Sequence, residues 1–125
     1  MGVEALDREG RVLRLEYSDF TLFNIYFPNS GMNAKRLDYK IDFCNALLDL
    51  LEDLKNQGQN LIITGDVNIA HNPIDVYNPA NCEGKSGYLI EEREWLDDLL
   101  ASGFVDTFRM FDDSGDNFTW WSYRT

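Results

Sequence analysis

Histidine, cysteine and basic residues are scarce in these 125 residues. His71 is the single histidine, which excludes a His-rich metal site and any within-chain dyad that needs a second imidazole. Cys44 and Cys82 are the two cysteines, and they lack the paired spacing of a zinc site. Cys44 falls on the apolar side of a helical pattern, where a free thiol behaves as a small buried hydrophobe. No apolar run approaches the roughly 20 residues of a membrane-spanning helix. Met1–Gly10 is charged and lacks the apolar centre of a secretory leader. The expectation is a cytoplasmic protein without a membrane partner. Lys and Arg number 11 against 22 Asp and Glu, a net charge of −11, so the basic stripe of a nonspecific nucleic-acid coat is missing. A nuclease is still allowed, because an acidic metal site with a few local cations can hold a phosphodiester. Its binding would be weak, salt-sensitive or metal-dependent.

What is present is enough for a core: 44% of residues are hydrophobic and 14% aromatic, within the size of one domain. Arg11–Tyr17 alternates, with Leu13, Leu15 and Tyr17 on one face and Arg14 and Glu16 on the other, and reads as a half-buried strand. Ser18-Asp19 is a turn signal. Phe20–Phe27 alternates again as the second arm of a hairpin, stopped by Pro28, which cannot donate to a ladder. Lys35–Gln57 is the main helix, with Ile41, Cys44, Leu47, Leu48, Leu51 and Leu54 at helical spacing and Gly58 as its stop. Pro73–Gly87 is a loop rich in Asn, Pro and Gly, long for a mere connector. Ile90–Ser102 is a second helix, with Trp95, Leu96, Leu99 and Leu100 facing inward. Phe118–Tyr123 reads as an aromatic strand. It lacks a following partner, as the first hairpin lacks a preceding one, so the chain reads as the middle of a larger domain.

The chain is organised around Asn60–Asn72. Leu61-Ile62-Ile63 is β-branched and uninterrupted, the pattern of a strand buried on both faces. It ends in Gly65-Asp66-Val67-Asn68. Gly65 permits a sharp turn or a close backbone approach, and extended geometry sends Asp66 and Asn68 to the same face. A carboxylate beside an amide at a strand mouth suits proton transfer with an orienting hydrogen bond. An Asx-rich turn that merely ends a strand is the plainer alternative.

Several blocks, in order, carry a resemblance. They are Asn24-Ile25-Tyr26-Phe27-Pro28-Asn29, Thr64-Gly65-Asp66-Val67-Asn68-Ile69-Ala70, Ile74-Asp75, Glu91-Glu92-Arg93-Glu94-Trp95, Gly103-Phe104-Val105-Asp106-Thr107-Phe108-Arg109 and Phe118-Thr119-Trp120-Trp121-Ser122-Tyr123-Arg124. Together they resemble the exonuclease III and AP endonuclease branch of the endonuclease/exonuclease/phosphatase superfamily. The Gly-Asp-x-Asn motif is shared across that superfamily, whereas the last three blocks are more specific to the DNA-repair branch.

The resemblance implies an α/β (α+β) fold: part of a four-layer α/β sandwich, with a mostly antiparallel or mixed sheet and two helices on one face. Residues 1–125 would form a single incomplete domain, without the family's N-terminal Gln-Glu motif, whose Glu binds the metal, and without its C-terminal Arg-(Ile/Leu)-Asp and Ser-Asp-His motifs. It implies hydrolysis of a phosphodiester 5′ to an abasic site, or removal of 3′-terminal nucleotides, from double-stranded DNA. Mg²⁺ or Mn²⁺ would assist, held weakly by Asp66 and Asn68 when the Gln-Glu motif is absent. Asp66 would orient or deprotonate the attacking water, Asn68 would fix that carboxylate and the phosphate, and Tyr26 would donate to the scissile phosphate. Asn29 corresponds to a phosphate contact, Asp75 and Asn78 to a DNA-contacting loop, and Trp120 to the wall of the pocket for the flipped-out sugar. Asp75 could instead simply pin its loop. The resemblance further implies location at the nucleoid if the cell is bacterial, weak activity of this chain alone, and an uncovered apolar sheet face suited to a homodimer or another partner. Another phosphoesterase of the superfamily and a non-catalytic oligomerising half-domain are the competing readings.

Overall fold

A computed structural model describes residues 1–120. By the density of backbone contacts the chain divides into two compact units, Met1–Asn68 and Ile69–Thr125.

In the first unit, alternation and turn chemistry build a three-stranded sheet of order β1-β2-β3, with β1 at Val12–Glu16, β2 at Thr21–Tyr26 and β3 at Leu61–Asp66. β1 and β2 pair antiparallel and β2 and β3 parallel, so the sheet is mixed, as the fold class requires. A helical turn, α1 (Glu4–Asp7), precedes it and buries Leu6. The 20-residue helix α2 (Leu37–Asn56) makes the long crossover that a parallel pair demands. Phe23, Ile25 and Phe27 share one side of β2 and are each 1% exposed. The Phe27 ring meets Phe43 of α2 edge-on at 5.6 Å. Leu47, Leu51 and Cys44 of α2 are likewise buried, and each such side chain contributes roughly 1.5–3 kcal/mol of apolar burial.

Three expectations are corrected here. β3 is not buried on both faces: Ile62 is 46% exposed, because side chains alternate between faces and Ile62, opposite Leu22, lies on the face away from the buried Phe23 and Ile25. β1 does not bury Leu13, Leu15 and Tyr17. Register opposes Arg14 to the buried Phe23 and Leu15 to Leu22, which puts the leucines of β1 on the open face. The Arg14 guanidinium caps the Phe23 ring at 5.8 Å. The inward stripe of α2 is also displaced: Lys40 and Phe43 are fully buried and Ile41 and Leu48 only half-buried. Lys40 continues the spacing of Cys44, Leu47, Leu51 and Leu54, but a lysine reads as polar.

In the second unit, the loop after Asn72 is partly structured by a 3-10 turn at Pro73–Asp75 and a helical turn, α3, at Pro79–Cys82. The helix α4 (Ile90–Ala101) buries Trp95 and Leu99, with Leu96 and Leu100 half-buried. Glu92 accepts the Leu89 N–H at 3.0 Å and closes the start of α4. The expected strand at 118–123 is not formed at 118–120, which is irregular. Its remainder, with Trp121, lies outside the described residues.

Candidate active site

Parallel pairing sets β2 and β3 at the same height, so that Tyr26 stands directly opposite Asp66. Directly paired residues share a face, and neighbouring strands lie about 4.8 Å apart, so a phenol and a carboxylate project side by side at the strand ends. The register depends on Gly65. Its φ is +120°, and a β-carbon there would lie 2.1 Å from the carbonyl oxygen of Ile25, so only glycine lets the two backbones approach one step before Asp66. The ladder continues one residue further, with the Phe27 N–H donating to the Asp66 carbonyl at 2.9 Å.

Beyond the strand the chain bends through Val67 into Asn68, whose φ is +54°. This left-handed conformation is costly for a residue with a β-carbon and is least so for Asn. It is stabilised locally: the Asn68 N–H donates to Asp66 Oδ1 at 2.9 Å and its Nδ2 donates to the Phe27 carbonyl at 2.9 Å. Asn29 Nδ2 approaches Asn68 Oδ1 at 3.4 Å, and the Gly31 N–H holds Asn29 in place through Oδ1 at 2.8 Å. Tyr26, Asn29, Asp66 and Asn68 are thereby brought together in the first unit. The Tyr26 hydroxyl and the second oxygen of Asp66 have no hydrogen-bond partner among the described residues, and both groups are exposed. The Arg11 guanidinium lies 5.1 Å from the centre of the Tyr26 ring and donates to the Tyr26 carbonyl at 3.1 Å, which keeps a cation beside the phenol. Arg11 is a feature the sequence reading missed. Only its alternation two residues before Leu13 could have placed it on that face.

The candidates of the second unit stand differently. Asp75 is a loop pin: its Oδ2 accepts the Asn72 N–H at 2.7 Å and its Oδ1 accepts Arg109 Nε at 2.8 Å. Arg109 also donates to the carbonyls of Asp112, Ile74 and Asn117, so one guanidinium ties the loop to the segment after α4. Asn78 caps α3 by accepting the Asn81 N–H at 3.2 Å, with its side chain at the surface. Trp120 is 71% exposed. His71 pairs with Asp97 at 2.7 Å while its carbonyl accepts Arg93 Nε.

Among the described residues no group of three or more His, Cys, Asp or Glu side chains could hold a metal ion. Asp66 and Asn68 offer one carboxylate and one amide oxygen, fewer than the octahedral oxygen set Mg²⁺ prefers.

The profile of the endonuclease/exonuclease/phosphatase family matches residues 3–125. An exodeoxyribonuclease of Bacillus subtilis is 39% identical over 99% of the chain and 49% of its own length. A DNA-(apurinic or apyrimidinic site) endonuclease of Dictyostelium discoideum is 37% identical over 98% of the chain and 35% of its own. The solved structure of an AP endonuclease from Archaeoglobus fulgidus superposes with a TM-score of 0.81 at 26% identity, covering 94% of the chain and 46% of that protein. The chain spans about half or less of the length of each of these relatives. With the family profile matching nearly every residue, the Tyr26–Asp66 strand pair and the Asn68 bend belong to a chain of the endonuclease/exonuclease/phosphatase family.

Proposed function

We propose that the chain carries the phosphate-gripping and water-activating part of a DNA nuclease that cuts phosphodiesters at abasic sites and removes 3′-terminal nucleotides. The observation that carries this reading is the in-register pair of Tyr26 and Asp66, backed by relatives named for exodeoxyribonuclease and AP endonuclease activity. Asp66 accepts a proton from, or orients, the attacking water, because its second oxygen is uncommitted. Tyr26 donates its phenolic hydrogen to the oxygen on which charge develops. Asn68, whose N–H holds the carboxylate, also contacts the phosphate, and Asn29 is a further phosphate contact. In the second unit Asn78 contacts DNA from a loop that Asp75 pins, and Trp120 offers an aromatic wall to an extruded sugar. Mg²⁺ or Mn²⁺ supplies charge stabilisation when bound, with Asp66 and Asn68 among its ligands and the remaining oxygens coming from outside the described residues.

The test is incision of a duplex bearing one abasic site, with Mg²⁺ and with EDTA, by this chain and by Asp66→Ala, alongside anisotropy on the same duplex with and without the lesion. The expected result is tighter binding of the lesion duplex and slow, Mg²⁺-dependent cutting that Asp66→Ala abolishes. A folded chain that hydrolyses a small phosphomonoester while neither cutting nor preferring abasic DNA would overturn the reading.

A further inference from the structure

Lys40 is 0% exposed, in the same stripe of α2 as Phe43, Cys44 and Leu47. A buried ammonium is costly to desolvate, and a methionine would fill the same space without that cost. Lys40 Nζ donates to the Asn68 carbonyl oxygen at 2.7 Å. Asn68 is the residue held at φ +54°, and such a conformation persists only where its surroundings over-determine it. Its N–H is held by Asp66 and its Nδ2 by the Phe27 carbonyl. Lys40 adds the cationic hold on the carbonyl, and a charge-assisted bond in a water-poor setting is stronger than a neutral one.

We propose that Lys40 is a positioning residue for the candidate site: its ammonium clamps the Asn68 carbonyl and so fixes the left-handed bend that sets the Asn68 amide beside the Asp66 carboxylate. The geometric claim stands by itself; its consequence for catalysis rests on the nuclease reading above.

The test compares Lys40→Met, Lys40→Arg and the packing control Leu54→Ala in the whole chain, by amide hydrogen exchange read by NMR. In Lys40→Met the Asn68 N–H exchanges about tenfold faster or more, while the β2 amides of Phe23 and Ile25 keep their rates. Lys40→Arg restores most of the protection, since it retains a cationic donor. Leu54→Ala speeds exchange across the core without singling out Asn68. Should Lys40→Met fail to fold, Lys40→Gln takes its place, with the same pattern at smaller size. Asn68 exchange that stays unchanged, or rises only in step with β2, overturns the clamp. Incision of abasic duplex is the second arm: Lys40→Met lowers kcat about tenfold or more with KM little changed, and Lys40→Arg recovers it. The expected exchange pattern in a chain that hydrolyses a small phosphomonoester while neither cutting nor preferring abasic DNA overturns the nuclease reading and leaves the clamp standing. Reduced cutting with normal Asn68 exchange overturns the clamp alone.

Discussion

Gly65 tolerates no side chain. A β-carbon would meet the Ile25 carbonyl at 2.1 Å and would have to adopt φ +120° as well. Gly65→Ala should cost about 3 kcal/mol or more of stability, read by urea unfolding, because neither the steric overlap nor the backbone angle can relax without parting β2 from β3. Asn68 permits a cleaner separation of backbone from side chain. Glycine accepts the left-handed angle at no steric cost, so Asn68→Gly should leave stability within about 1 kcal/mol while lowering incision roughly 100-fold through loss of the amide. Equal activity in Asn68→Gly would show that the bend alone matters. The glycine of the Gly-Asp-x-Asn stretch was legible in the sequence because it answers a local need for close approach; the bend was not, since extended geometry was expected through Asn68, which instead takes φ +54°. Nor were Lys40 and Arg11. Each acts across a strand or helix, and nothing in a linear pattern tells a buried lysine from a solvated one.

At the scale of elements, the Asp75 carboxylate pins the loop after Asn72 and the Asp112 carboxylate orders the segment after α4. Asp75→Ala leaves the Arg109 guanidinium, whose side chain is 16% exposed, without its carboxylate. Unfolding should show a loss of about 1–3 kcal/mol; a loss of DNA affinity at unchanged stability would instead mark Asp75 as a direct contact. Asp112 accepts from the Ser114 hydroxyl and N–H, which hold its carboxyl below the usual 3.8, with Arg109 adding a smaller pull. A carboxylate whose folded value is depressed contributes stability above its unfolded value and loses it as pH falls through the folded one. Asp112→Asn should therefore lower stability at all pH values above about 3.8, neutrality included, and flatten the acid limb below that value. Both helices and all three strands follow from period and turn residues, with α2 running Leu37–Asn56 where the pattern spans 35–57. The burial of β1 and β3 was misread for a common reason. Alternation says which residues share a face but not which face is covered. In a sheet of order β1-β2-β3 only the central strand is paired on both sides.

For the molecule as a whole, charge and surface set the expectations. At net charge −11, approach to DNA is opposed at long range, so affinity should rise as Mg²⁺ is added at constant ionic strength and should fail in EDTA, as read by anisotropy. The open face of the sheet presents Leu13, Leu15, Tyr17 and Ile62, each at least 41% exposed. Size-exclusion with light scattering tests whether a second copy covers it: a dimer that Leu15→Glu with Ile62→Lys returns to monomer marks this face as the contact, and a wild-type monomer at high concentration shows that no second copy covers it. The charge was readable from composition; the open face was not, since a leucine facing water and a leucine facing a core are the same letter.

The register that pairs Tyr26 with Asp66 has a consequence for how such a sequence can change over generations. The two residues owe their adjacency to a ladder and a missing β-carbon, not to the length of the chain between them. Insertions or deletions in the connections on either side of α2 alter the path of the backbone while leaving the pair where it stands. A single residue gained or lost within β2 or β3 would throw one partner to the opposite side of the sheet. Natural variation in length should therefore collect around residues 31–36 and 57–60, and the two strands should stay closed to it.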